Sequence, residues 1–173
     1  PKNIRFVAMT DFGPDLPSIF TAFPSRDVHN SLVQVLCPRS QMYIAESEKF
    51  AHVTYFLNGG YAQHFCNEQW VKVESDHVKD FDGRPAMKAG EIIEHLINAV
   101  RAGSYEFIAA NFANADMIGH TGNLEMAQKS VKILNNALLR IVNVALESDT
   151  IVLITADHGN AEEMINLKTK EVD

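Results

Sequence analysis

Phe107-Ile-Ala-Ala-Asn-Phe112 runs straight into Ala113-Asn-Ala-Asp-Met-Ile-Gly-His-Thr-Gly122, and this passage from apolar run to polar cluster decides the fold. The apolar run has the length of a buried strand and is too short for a core helix. On its N-terminal side, Ala89, Ile92, Ile93, Leu96, Ile97 and Val100 make one apolar stripe. That spacing predicts a helix from about Pro85 to Arg101, with Pro85 in the first turn and Gly103 as its stop. On its C-terminal side, Leu124, Ala127, Val131, Leu134, Leu138, Ile141 and Ala145 alternate spacings of three and four, which predicts a long helix over Asn123 to Leu146. Such spacing also suits a coiled coil, but a helix packed on a sheet is the plainer expectation. Thr150 to Thr155 (TIVLIT) reads as the clearest buried strand. Strand, helix, strand, helix, strand implies an α/β fold: an open, mostly parallel sheet with helices on both faces. In such folds the chemistry gathers beyond the C-terminal ends of the strands.

The N-terminal half is less periodic. Residues 4–10 read as a strand, and Asp11 to Pro17 as a loop or linker. Pro24 to Asp27 offers a helix start before Val28 to Leu36, and Cys37-Pro38 ends that element. Met42 to Ala45 predicts a short strand, and Val53 to Leu57 a stronger one closed by Asn58-Gly59-Gly60. His64 to Arg84 reads as loops with short strands around Val71 and Val78.

Composition narrows the classes. The chain has 173 residues, 46% of them hydrophobic, enough for one core and too few for two large domains. Lys and Arg number 15 against 22 Asp and Glu, a formal charge of −7, which argues against nucleic acid or a polybasic membrane contact. No run has the length of a membrane span and no signal peptide is visible. Cys37 and Cys66 form no CxxC pair, so a disulfide framework is not expected, and two lone cysteines fit a reducing cytoplasm.

Two predicted strands end in metal-ligand residue types. Asp116 and His120 are four apart, so one helical turn or a tight loop can aim both at one ion. Asp157 and His158 follow Thr155-Ala156, where Gly159 offers a sharp backbone turn. Carboxylate and imidazole without thiolate suit Mn²⁺, Zn²⁺ or Co²⁺. Two such clusters suggest a two-metal site of the kind that clamps the attacking and leaving oxygens of phosphoryl transfer. The bland alternatives are a helix cap or surface pair for Asp116 and ordinary turn chemistry for Asp157-His158-Gly159. His29, His52, His64, His77 and His95 show no ligand spacing, and His95 reads as solvated beside Glu91 and Glu94.

Three segments carry a resemblance: Asn111 to Gly122, Thr155 to Met164, and Ala45-Glu-Ser-Glu-Lys-Phe-Ala-His-Val-Thr-Tyr-Phe-Leu-Asn-Gly-Gly60. In sequence, order and spacing they resemble cofactor-independent phosphoglycerate mutase, a family of the alkaline-phosphatase-like superfamily. The resemblance implies interconversion of 3-phosphoglycerate and 2-phosphoglycerate through a phosphoserine enzyme, in glycolysis and gluconeogenesis. It implies two divalent ions, Mn²⁺ first, with Mg²⁺ or Co²⁺ also suitable. Asp116 and His120 would bind one ion together with a later His. Asp157 and His158 would bind the other, together with an early Asp and the nucleophilic Ser. Lys49 matches a lysine near the phosphate; taken alone it reads as a surface charge.

Nothing in the chain matches that early Asp or the Ser nucleophile, and the later His and an arginine-rich substrate segment are also unmatched. The expectation is therefore a piece of a larger mutase. Residues 1–25 would be the end of its phosphotransferase domain and hinge, and residues 26–173 a partial phosphatase-like metal-binding domain. The expected substrate is a small-molecule phosphoglycerate, the expected state a cytoplasmic monomer, and the piece alone is expected to be inactive. The other readings are a phosphomutase or phosphatase of the same superfamily, and a non-catalytic metal-binding module.

Overall fold

In a computed structural model, the described residues are 5–10, 19–24, 26, 28–78, 81, 83–166 and 168–170. The organising element is β3 (Gln41–Glu46), every residue of which is buried. It lies between β4 (Gln69–Val73) and β5 (Phe107–Asn111) in a three-stranded, wholly parallel sheet of order β4-β3-β5. Tyr43 stands opposite Trp70 on one side and Ala109 on the other. Alternation along β3 sends Met42 and Ile44 to one face, Tyr43 and Ala45 to the other, so a central strand needs cover on both faces.

That cover comes from the connections. On the Met42 and Ile44 face, α2 (Ala89–Ala102) supplies Ile92, Ile93, Leu96 and Ile97, and α4 (Leu124–Glu147) supplies Ala137, Ile141 and Val144. Gly103 ends α2 in a left-handed conformation, φ 58°, where a side chain would be strained. Asn123 caps α4 by accepting a hydrogen bond from the Met126 amide. On the Tyr43 and Ala45 face lie Val33 of α1 (Leu32–Val35) and Val53 of a π-helix, His52–Phe56. A short α3 (Asn114–Gly119) leads from β5 towards α4. Separately, β1 (Val7–Ala8) and β2 (Phe20–Thr21) form a two-stranded parallel pair. Among the described residues no helix is long and apolar enough to cross a membrane.

The α/β class, the central strands, both long helices and the packed rather than coiled role of α4 agree with the sequence reading. Several expectations do not. Val53 to Leu57 is helical, not a strand: it belongs to the crossover that parallel β3 and β4 require, and Thr54 hydrogen-bonds back to the Phe50 carbonyl at 2.8 Å. Thr150 to Thr155 forms no strand; residues 151–156 join no ladder, and Ile151 and Leu153 are 89% and 91% exposed. A strand exists only by pairing, and no described neighbour pairs with this one. No strand forms at Val78, and the helix expected over Val28 to Leu36 shrinks to the single turn of α1, begun at Ser31 whose amide donates to Gln34. Pro85 precedes α2 by four residues instead of opening it. Gly159 has no left-handed φ; its lack of a side chain makes room for the Glu162 carboxylate instead. Cys37, just after α1, and Cys66, just before β4, are joined in a disulfide with Cα atoms 5.5 Å apart, because Val33 of α1 and Phe65 next to Cys66 both pack on the Tyr43 face. The expected linker at Asp11 to Pro17 lies outside the described residues.

Glu46, the last residue of β3, is buried with Oε1 unpartnered, while Oε2 accepts from the Lys88 amide at 3.1 Å. Burial pushes its carboxyl up, against the opposing effect of the Lys88 amide. A carboxyl raised above its unfolded value costs stability only once it ionises. The cost is therefore absent below the unfolded pKa of about 4.3 and grows as pH rises through the folded value. Glu46→Gln is expected to be more stable than the parent at pH 7, on the order of 1 kcal/mol, with the gap closing as pH falls towards 4. Urea denaturation across that pH range measures it; a constant gap would contradict the assignment.

Candidate metal centre

β3 and β5 are adjacent and parallel, so the turn after β3 and the helix after β5 emerge at the same end of the sheet. After Glu46 the chain makes a 3-10 turn, Ser47–Lys49, and Lys49 lands inside the protein rather than on its surface. Its side chain is 7% exposed, and Nζ lies 2.5 Å from Asp116 Oδ2 and 3.2 Å from His158 Nε2. One ammonium thus ties together two polar clusters that lie far apart in sequence. Taking such a charge out of water is costly unless it is paired and hydrogen-bonded, and here it is both.

Asp116 lies in α3, the helix that β5 feeds. Its Oδ1 accepts from the Asn160 side-chain amide at 2.6 Å and lies 3.3 Å from His120 Nε2. Burial works to raise the Asp116 pKa, but the bonds from Lys49 and Asn160 outweigh it, and the carboxyl sits below its ordinary value. Asp116 and His120 thus converge as the spacing predicts, with His120 largely exposed. Asp157 and His158 also converge: His158 Nε2 lies 3.7 Å from Asp157 Oδ2, which accepts from Asn111 at 3.3 Å. His158 Nδ1 lies 3.2 Å from the Gly159 carbonyl. Only a protonated Nδ1 can donate there, which leaves the Nε2 lone pair facing the site.

Two participants were not legible from spacing. Asn160 bridges the clusters by donating to both the carboxylate and the backbone carbonyl of Asp116. It fits because residue 119 is glycine: a Cβ there would lie 2.8 Å from Asn160 Oδ1. His52 has no ligand spacing in the chain, yet the fold groups a ligand atom from each of His52, Asp157 and His158 within 4.8 Å of one another. Burial, then the nearby Lys49 ammonium, lower the His52 pKa and favour its neutral form. Only the Asn-Ala-Glu-Glu run after the Asp-His-Gly segment hinted at Asn160.

In chelator-treated protein, Asn160→Ala removes a donor to the Asp116 carboxylate, so its pKa is expected to rise towards the ordinary value. The stability that Asp116 lends is present above its unfolded pKa and lost as pH falls through its lower folded pKa. The substitution therefore narrows that acid window. Carboxyl ¹³C titration by NMR reads the change; an unmoved Asp116 would refute the role of Asn160.

Residues 22–171 match the family described as the Metalloenzyme superfamily. The chain is 45% identical over 171 residues to 2,3-bisphosphoglycerate-independent phosphoglycerate mutase 2 of Methanosarcina barkeri, covering 98% of the chain and 32% of that protein. Against the 2,3-bisphosphoglycerate-independent phosphoglycerate mutase of Anaplasma phagocytophilum it is 43% identical over 152 residues, or 87% of the chain and 31% of the relative. A crystal structure of Leishmania mexicana phosphoglycerate mutase at low cobalt concentration matches the fold with a TM-score of 0.87 at 30% identity, over 98% of the chain and 32% of that structure. The chain spans about a third of the length of the curated relatives it matches. Since the family match takes in β3, β5, both polar clusters and Lys49 together, the chain belongs to the Metalloenzyme superfamily.

Proposed function

We propose that the chain is the later, metal-binding part of a 2,3-bisphosphoglycerate-independent phosphoglycerate mutase that interconverts 3-phosphoglycerate and 2-phosphoglycerate in glycolysis and gluconeogenesis. The observation that carries this reading is the Lys49 ammonium, buried between Asp116 and His158 in the three segments that resemble the mutases. Residues 1–25 are assigned to the end of the phosphotransferase domain and its hinge, and 26–173 to the phosphatase-like domain. The working protein is read as a cytoplasmic monomer, where the Cys37–Cys66 disulfide would face reducing conditions.

The donor chemistry fits divalent ions. Asp116 and His120 form one set of oxygen and nitrogen donors, and Asp157 and His158 the other, with no thiolate. Beside Asp157, Asn111 Oδ1 is buried without a hydrogen-bond donor, as is a ring nitrogen of His52, Nδ1. Unpartnered buried acceptors of this kind are what an absent ligand or water leaves. We assign Mn²⁺ first, with Mg²⁺ or Co²⁺ able to substitute. When bound, the ions would lower the pKa of the attacking serine hydroxyl and neutralise phosphoryl oxygens.

The chain's own residues do the rest. Lys49 offers a compact ammonium to the transferring phosphoryl group, in a site dry enough for that charge to count. Asp116 holds Lys49 in place, and Asn160 holds Asp116. Asn111 fixes the Asp157 carboxylate, and the Gly159 carbonyl fixes the His158 tautomer. The nucleophilic serine is assigned to a part of the enzyme outside these 173 residues, because no serine here occupies the matching motif.

The 173-residue chain with Mn²⁺ and 3-phosphoglycerate is accordingly expected to make no 2-phosphoglycerate; turnover without 2,3-bisphosphoglycerate would overturn the placement of the nucleophile. Calorimetric titration of the chain with Mn²⁺ is expected to show weak binding, weakened about tenfold or more in Asp157→Ala. Tight binding indifferent to that substitution would contradict the ligand assignment.

A further inference from the structure

We infer that Cys37 and Cys66 form a reversible thiol–disulfide exchange site for small disulfides such as glutathione disulfide, clamping the crossover that carries Lys49. Its reversibility rests on the cytoplasmic reading above, because a lasting structural bridge belongs to oxidising compartments.

The fold builds the site. The two cysteines are 29 positions apart in the chain, yet their Cα atoms lie 5.5 Å apart, near the commonest separation for a bridged pair. Both are half-buried, so a small thiol or disulfide can reach them. Cys37 follows Leu36, whose carbonyl accepts from the side-chain amide of buried Gln41 on β3 at 2.8 Å, so this side is anchored to the central strand. Cys37 Sγ also lies 3.8 Å from the Phe65 carbonyl, which offers a thiol an acceptor once the bridge is open. The site thus accommodates both redox states.

Cys66 stands near the end of the crossover from β3 to β4, and Lys49 near its start. One indole touches both ends. The His64 ring stacks on Trp70 with centroids 3.9 Å apart, and Phe50, next to Lys49, meets Trp70 edge-on at 6.2 Å. Between them, the Gly59 carbonyl accepts from the Val28 amide at 2.9 Å, and Asn58 donates to the Gln63 carbonyl at 3.0 Å. To these ties the bridge adds a covalent one, joining the end of the crossover to the segment held by Gln41. Opening it leaves hydrogen bonds and ring contacts to hold the crossover, and segments held in that way open locally at low free energy.

The exchange balances with glutathione disulfide as the oxidant. One cysteine thiolate attacks it and expels a glutathione thiolate; the second cysteine then displaces the other glutathione from the mixed disulfide. Two cysteine S–H bonds and one glutathione S–S bond are lost. One Cys37–Cys66 bond and two glutathione S–H bonds are gained. Reduced glutathione runs the same steps backwards.

The experiment uses the 173-residue chain in glutathione buffers of graded redox poise. Alkylation followed by mass spectrometry counts the free thiols, and amide hydrogen exchange is compared between the oxidised and reduced chain. The expected result is one intramolecular bridge in glutathione disulfide, opened again by millimolar reduced glutathione. On opening, exchange between Phe50 and Cys66 is expected to quicken about tenfold, with β3 and α4 unchanged. In Cys37→Ser, Cys66 is expected to stop at the mixed disulfide with glutathione. Thiols that stay free in glutathione disulfide, or a bridge that survives reduced glutathione, would overturn the exchange site. Equal hydrogen exchange in both states would overturn the clamp. Should Cys37→Ser fail to fold, the redox series on the unmodified chain decides. Each of these failures leaves the metal reading standing, because the Mn²⁺ titration tests that reading without the thiols.

Discussion

The contact between Lys49 and Asp116 is the constraint on which the candidate site depends. A buried ammonium is tolerable only with its charge matched and its protons donated, so the residues around it have little freedom. Asp116 must stay ionised, which its bonds from Lys49 and Asn160 enforce against the effect of burial. Asn160 must come within reach, which the bare Cα of Gly119 allows. His158 must present a lone pair, which its bond to the Gly159 carbonyl arranges. Removing one partner of such a buried pair leaves the other uncompensated, which is why these residues are coupled and not merely adjacent.

The sheet makes the contact possible. β3 and β5 are hydrogen-bonded neighbours running in the same direction, so the turn after one and the helix after the other open onto a shared crevice. Burial of β3 on both faces holds the base of that crevice rigid, with α2 and α4 on one side and α1 and the π-helix on the other. The second cluster arrives differently. Asp157 and His158 stand on an unpaired segment and are anchored by polar contacts to Asn111 and Lys49 rather than by a ladder. One half of the site is thus set by secondary structure and the other by side-chain bonds.

Legibility followed the same division. The α2 stripe and the period of α4 could be read because one face of each helix must be apolar, and that leaves a repeating mark in the chain. β3 and β5 could be read because short apolar runs between turn residues have few other uses. Val53 to Leu57 carries the same kind of mark but is a helical turn, since an apolar run of that length suits either state until its neighbours choose. Thr150 to Thr155 looked most like a strand and is none, since propensity supplies no partner.

The sequence by itself determined the α/β class, the two long helices and the close pairing of Asp116 with His120 and of Asp157 with His158, because each rests on local spacing or residue type. Its three resembling segments also pointed to the superfamily to which the chain belongs. Only the tertiary structure decided that Lys49 is a buried bridge rather than a surface charge, that Asn160 and His52 join the site, and that Cys37 meets Cys66. Those facts depend on segments brought together across the sheet end. Distance in space between residues far apart in the chain leaves no mark on the spacing of either.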